Sequence, residues 1–231
     1  MDLTDKIIAI SLGIKYARSF RIPDISGEFI DEVLYSSSSP FGKEIFSHVQ
    51  EPLNREKVLS NPITNEYLRI NTDDLIMGLK VKGNFNDRYK WITTSVVPYL
   101  ENLFTKYKIH NIIRIGIIYH HKLSKNSQFT DVISKITNDS VKDTENIGVT
   151  FSKKIETYEG LLKKGVADYV NTIYAFNEYK KNLLADIDFQ YYFNPIQEDL
   201  RDCNAKKIIE KAREYLTNSY YPWLSAYEKK S

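Results

Sequence analysis

Two stretches of the chain alternate apolar with small or polar residues at a period of two, and each carries a glycine in its polar row. In the first, Ile8, Ile10, Leu12, Ile14 and Tyr16 share one side, and Ser11, Gly13 and Lys15 share the other. In the second, Ile113, Ile115, Ile117 and Tyr119 lie opposite Arg114 and Gly116. Period two with β-branched residues is the pattern of a half-buried strand, so two such strands must find a sheet with one covered face. Glycine weakens a strand interior unless something approaches closely there, or marks a bulge. In a tandem fold whose first strands pair near a pseudo-twofold axis, it would relieve crowding.

The order of elements repeats around these strands. Pro23-Asp24 breaks the first strand, and a helix is expected from Ser26-Gly27-Glu28 to Tyr35, with Phe29, Ile30, Val33 and Leu34 on one stripe. Strands are expected near Ile45 to Val49, at Glu66 to Asn71 and at Leu75 to Lys82, with Asn61-Pro62 as a turn. Arg88 to Tyr107 reads as a long helix that Pro98 should end or kink. After the second glycine strand come a short helix at Gln128 to Thr137 and strands at Val149 to Thr157, Asp168 to Phe176 and Leu183 to Phe193. A last helix runs from Gln197-Glu198-Asp199 towards Tyr220, its acids suited to a helix N-terminus. Three stretches also align: Ser11–Tyr16 with Arg114–Tyr119, Phe29–Val33 with Phe129–Ile133, and Tyr99–Phe104 with Tyr215–Tyr220.

The fold class expected is α+β. A curved antiparallel sheet is formed from two similar strand–helix–strands–helix halves, residues 1–110 and 111–231, in one compact domain. Helices cover one face, and the other is partly open. A tandem saddle of the kind found in TATA-binding-like and gyrase-inhibitor-like folds has this form.

Charge and cysteine content exclude several functions. The 32 basic and 30 acidic residues leave a net charge of +2, and neither half is a basic arm, so affinity for nucleic acid cannot rest on bulk charge. One cysteine, Cys203, excludes a disulfide frame and a cysteine-cluster metal site. No segment is apolar for the ~18 residues that span a bilayer, and Asp2 and Asp5 stand where a signal peptide wants positive charge, so a cytoplasmic location is expected and no membrane partner. Nine glycines form neither GxxxxGK[ST] nor GxGxxG, and no GxSxG elbow occurs.

The polar constellation that stands out is Asp186-Ile187-Asp188. Strand geometry places both carboxylates on one face about 7 Å apart, a spacing able to hold Mg²⁺ through waters or to divide acid and base roles. A solvated polar row explains the same residues. His120 and His121 are adjacent on a strand and point to opposite faces, so they cannot share a metal. Glu178-Tyr179-Lys180 after Asp168 is a nuclease-like spacing that also arises by accident. Cys203 lies among acids that disfavour a thiolate. Tyr221 and Trp223 either dock a partner or fasten the last helix to the body. No cofactor and no metal site is expected.

Ile113-Arg114-Ile115-Gly116-Ile117-Ile118-Tyr119, with Ala185-Asp186-Ile187-Asp188 further on, resembles a sporadically distributed prokaryotic family of uncharacterised proteins. Its members carry an R-[IV]-G-[LI]-R-Y-[IV]-N strand, an L-D-I-D strand and a terminal helix. This chain departs from it at Ile118, His120 and His121. The family's distribution resembles that of antiviral-defence and mobile-element genes, and no catalytic residues come with it. The function expected is therefore a non-catalytic recognition or accessory protein with a protein partner, self-association or a small polar ligand. Its binding face would be Ser11, Lys15, Arg114, Asp186, Asp188 and Gln190. The alternative is a metal-dependent hydrolase or nuclease using Asp186 and Asp188. Plain duplex DNA is not expected as a partner, because the two Asp would repel phosphate at short range.

Overall fold

A computed structural model describes residues 3–41, 45–50, 56–124, 148–155, 168–179 and 182–223. The expected helix at Gln128 to Thr137 lies outside them. So does the partner of Phe29–Val33 in the repeat alignment. Nine strands of the described residues form one curved antiparallel sheet: β1 (Ile7–Tyr16), β2 (His48–Gln50), β3 (Lys57–Asn61), β4 (Glu66–Ile70), β5 (Asp74–Lys80), β6 (Ile112–Ser124), β7 (Gly148–Ile155), β8 (Tyr169–Tyr179) and β9 (Asn182–Gln197). Their order is β2-β3-β4-β5-β1-β6-β9-β8-β7. The two glycine strands are thus central neighbours, and on each side the next strand outward is the last before a helical segment.

The helices are α1 (Ile22–Tyr35), α2 (Phe85–Trp91), α3 (Val97–Tyr107) and α4 (Ala205–Tyr215). Helix α1 begins at Ile22, ahead of the expected Ser26, because Pro23 acts as a helix starter and not as a breaker. In the first turn its missing N–H costs nothing and its φ is already helical. Helix α2 is capped by Asn84, whose side chain accepts from the Asn86 N–H. Pro98 neither ends nor splits the long helical segment. A π-helical turn at Ile92–Val96 comes just before it and accommodates the missing donor. Thr93 Oγ1 donates to the carbonyls of Tyr89 and Lys90 in this turn.

Helix α4 leads into a second π-helical turn, Leu216–Tyr220, followed by Pro222. There Thr217 Oγ1 donates to the carbonyls of Arg213 and Glu214. This turn has the same form as Ile92–Val96, whereas Tyr99–Phe104, the stretch aligned with Tyr215–Tyr220 in the sequence, lies within α3. Thr and Pro fall at corresponding places in both turns.

The core lies against one face of the sheet. Ile10, Leu12, Ile14 and Tyr16 of β1, Ile115, Ile117 and Tyr119 of β6, and Ala185, Ile187, Phe189 and Tyr191 of β9 are buried there. They join Phe29 and Val33 of α1, Leu100 and Phe104 of α3, and Ile208 and Ile209 of α4 in a single cluster. The buried His121 reaches Tyr221: its Nδ1 faces the carbonyls of Tyr119 and Ala185, and its Nε2 accepts from the Tyr221 hydroxyl at 3.0 Å. Tyr221 is 2% exposed, and Trp223 packs on Phe151, Tyr174 and Tyr220. This removes Tyr221 from the docking surface expected of it, and both rings fasten the helix end to the sheet.

Two acids are buried at strand starts, Glu66 on β4 and Asp168 just before β8. Glu66, fully buried, pairs with Arg88 and Lys82 and accepts from the Lys80 backbone N–H at 3.3 Å. Asp168 accepts from the Asn194 backbone N–H at 2.7 Å and from the Tyr191 hydroxyl at 2.7 Å. Among the described residues no helix is long and apolar enough to cross a membrane.

Two stability predictions follow from these buried groups. Glu66→Ala strands the half-buried Arg88 without its counter-charge and should cost about 3–5 kcal/mol in urea denaturation. Burial pushes His121 down from 6.5 to about 4. The unfolded chain therefore binds the extra proton first, and stability is full above pH ~6.5 and falls as pH drops towards 4. The loss approaches ~3 kcal/mol at the acid end. Urea midpoints across that range should show this slope, and His121→Phe should remove most of it.

Candidate functional site

The second face of the sheet carries the polar rows. The register of β1 with β6 sets Gly13 directly opposite Gly116, Ser11 opposite Ile118 and Lys15 opposite Arg114. The β6–β9 register sets Gly116 opposite Gln190, Ile118 opposite Asp188 and His120 opposite Asp186. Ser11, Lys15, Arg114, Asp186, Asp188 and Gln190 therefore alternate with the buried rows and lie on one side of the sheet. Ser11 and Gln190 are nonetheless buried by their neighbours, at 6% and 7% exposure.

The paired glycines sit where no crowding has to be relieved. A β-carbon on Gly13 would meet only Ile76 Cγ1, at 4.0 Å, and one on Gly116 would meet Asp188 Oδ1 at 3.6 Å. The bulges between β1 and β6 fall elsewhere, near Ile7–Ala9 and near Lys15–Tyr16. What the glycines leave is a gap on the two central strands, between Ile76 and Gln190, with Arg114 on one side of it and His120 on the other.

On one side Arg114 Nη1 donates to the Tyr192 hydroxyl at 3.2 Å and its guanidinium lies over the Tyr192 ring. Tyr192 donates to Gln190, whose amide donates to Asp188 at 2.5 Å. Tyr169 stacks on Tyr192 with centroids 4.5 Å apart. Burial raises the Asp188 carboxyl above its ordinary value, opposed by the Gln190 hydrogen bond and the charge of Arg114. Lys15 is 3.9 Å from Asp73.

On the other side three residues from three strands form a chain. Ser11 Oγ lies 2.9 Å from His120 Nε2, and His120 Nδ1 lies 2.8 Å from Asp186 Oδ1. A carboxylate can only accept, so Nδ1 carries a proton, and in the neutral imidazole Nε2 accepts from the Ser11 hydroxyl. Ser11 and His120 are diagonal neighbours across the β1–β6 pair, and His120 and Asp186 are direct neighbours across β6–β9. His120 and Asp186 are 28% and 35% exposed, so the chain opens to solvent at its Asp end.

This chain borders a pocket of about 260 Å³ that Tyr67, Gly78, Lys80, Asn65 and Leu184 also line. Gly78 stands directly opposite Ser11 on β5, and the Tyr67 ring lies flat on it in the space a β-carbon would take. Asn65 is held at the rim by a tight turn in which Asn61 Oδ1 accepts from the Ile63 and Thr64 N–H groups and Asn65 adopts φ 57°.

The sequence pattern places Ser11 and Asp186 together on this face but leaves His120 out of the group. The signal was the glycine alignment, because placing Gly13 opposite Gly116 puts His120 one diagonal step from Ser11. Asp186 and Asp188 turn to different neighbours, and among the described residues no three His, Cys, Asp or Glu side chains are grouped to hold a metal ion. Asp168 is engaged at a strand end, while Lys180 and the Glu178 side chain lie outside the described residues. The Cys203 thiol is buried and pushed well up by that burial and by nearby acids, so it is inert.

Gly78→Ala should drive the Tyr67 ring off β5 and open that wall of the pocket. The expected readout is a shift of the Tyr67 ring proton resonances, with the unfolding free energy from urea denaturation changed by no more than about 1 kcal/mol. No protein-family model matches the chain, and no curated protein shows significant similarity to it.

Proposed function

We propose that this chain is a recognition protein built from two similar halves, with helices over one face of their shared sheet. Its polar face would bind a small polar ligand or an extended segment of a protein partner, anchored in the pocket beside Ser11. The observation that carries this reading is the convergence of Ser11, His120, Asp186, Lys80, Asn65 and the Tyr67 ring on one pocket. Few polar groups at the mouth of a partly apolar cavity are what ligand recognition requires.

Several parallels support the duplication. A half-turn about the Gly13–Gly116 pair exchanges β1 with β6, β5 with β9 and β4 with β8. The registers then match Arg69 with Asn171, which brings Tyr67 onto Tyr169 and Glu66 onto Asp168. They also match Lys80 with Asn194, so in both halves a buried acid accepts from the equivalent backbone N–H. The two π-helical turns with their Thr and Pro add a further match.

The mixed charge of the face argues for a peptide or small polar ligand. Asp74, Asp186 and Asp188 are interleaved with Lys15, Arg69 and Arg114, so a phosphate backbone would meet repulsion wherever it met attraction. Metal-dependent hydrolysis by Asp186 and Asp188 has less support, since each carboxylate is already engaged with a different side chain. The resemblance to the sporadic prokaryotic family supports an accessory role in a defence or mobile-element system, in the cytoplasm.

A panel of short esters, N-acyl amino acids and dipeptides, titrated by amide NMR, tests the reading. Members that bind should move the Ser11, Gly78, Lys80 and Leu184 resonances together, and a panel that moves none of them overturns it. Arbitrary duplex DNA at ~0.15 M salt should show no submicromolar binding by fluorescence anisotropy.

A further inference from the structure

We infer that Ser11 is an activated nucleophile, and that the pocket transfers the acyl group of short carboxylic esters to it. The inference rests on the pocket being the ligand site proposed above, and adds chemistry to it. An unassisted serine hydroxyl is a poor nucleophile. It becomes competent when a base accepts its proton and a third group fixes that base. The fold supplies this order with the correct atoms: hydroxyl to Nε2 at 2.9 Å, and Nδ1 to carboxylate at 2.8 Å. The other neutral tautomer would point Nε2–H at Ser11 and leave no base.

The surroundings meet the other requirements. A nucleophile needs room on its free side. Ser11 lines the pocket, and the Tyr67 ring, seated over Gly78, forms one of its walls. The negative oxygen of a tetrahedral intermediate needs donors, and in the middle of a sheet the backbone N–H groups are already paired. Lys80 and the Asn65 amide border the same pocket and carry the donors that could serve. Ile8, Ala9, Leu79 and Leu184 complete a lining whose volume of about 260 Å³ suits a short acyl chain and not a long one.

The step balances without a cofactor. Ser11 Oγ bonds to the acyl carbon as the bond from that carbon to the alcohol oxygen breaks. The hydroxyl proton passes to His120 Nε2 and from there to the leaving alcohol. Water then releases the carboxylic acid by the same route, with His120 taking the water's proton and returning it to Ser11. Asp186 touches neither reacting atom and is a positioning residue.

A fluorophosphonate probe tests this on the unsubstituted chain. Ser11 Oγ would displace fluoride at phosphorus, and intact mass with peptide mapping should find one adduct, on Ser11. His120→Gln should slow labelling ~100-fold. Asp186→Asn should lower the labelling rate at saturating probe while leaving the concentration for half-maximal rate unchanged, a split that a purely structural role would not produce. Hydrolysis of p-nitrophenyl acetate should follow the same order and disappear in Ser11→Ala. No adduct on Ser11, or ester hydrolysis that persists in Ser11→Ala, overturns the inference. Pocket resonances that still respond to the ligand panel would then leave the recognition reading standing, and loss of both would end both.

Discussion

The pairing of β1 with β6 is the constraint on which the rest of the molecule depends. Each strand has one apolar row, and a slip of one residue would turn that row away from the core. Ile10, Leu12 and Ile14 against Ile115, Ile117 and Tyr119 therefore set the register. The glycines, which contribute no side chain, merely fall opposite each other within it. Every other strand is added outward from this pair. The same register that buries the core also sets Ser11 beside His120. A slip would separate the hydroxyl from the imidazole at the moment it exposed the apolar row, so the fold and the candidate site are specified by one choice.

Burial of charge follows a common plan with different partners. Glu66 and Asp168 both close a strand end by accepting a backbone N–H, which is a strong reason to bury an acid there. Glu66 is further neutralised by Arg88 and Lys82, whereas Asp168 relies on the Tyr191 hydroxyl. A carboxylate held by neutral donors tolerates salt and shape changes differently from one held by cations, although the backbone task is the same. Arg88 in turn lies 4.3 Å over the Trp91 ring, which links the ion pair to the turn that absorbs Pro98.

The sequence made the faces legible but not the register. Alternation assigned Ser11, Lys15, Arg114, Asp186, Asp188 and Gln190 to one side and Ile10, Leu12 and Tyr119 to the other, because strand periodicity is local. It also separated His120 from His121 correctly: one reaches Asp186 and the other is sealed against Tyr221. Strand β3 went unseen, since Lys57–Asn61 is short and its apolar content is slight. From spacing alone Pro23 breaks the strand and Pro98 ends or kinks the helix, because a proline's effect depends on its place in the turn, which spacing does not show. Thr217 and Pro222 stand to the second π-helical turn as Thr93 and Pro98 stand to the first, a likeness that matching aromatic types does not bring out.

The relay was illegible because its members are 109 and 66 residues apart, on three strands, in no linear motif. An absence of motifs is weak grounds for an absence of catalysis when a sheet can assemble a site across its strands. The proposed half-turn sharpens the point. It carries Ser11 onto Arg114 and Asp186 onto Thr72, and it carries His120 past the end of β1 to Ala17. The buried acids, the π-helical turns and the Tyr67–Tyr169 pair survive that exchange, whereas the hydroxyl, imidazole and carboxylate do not. What the proposed half-turn repeats would serve the scaffold, and the three groups it does not repeat meet at a single pocket.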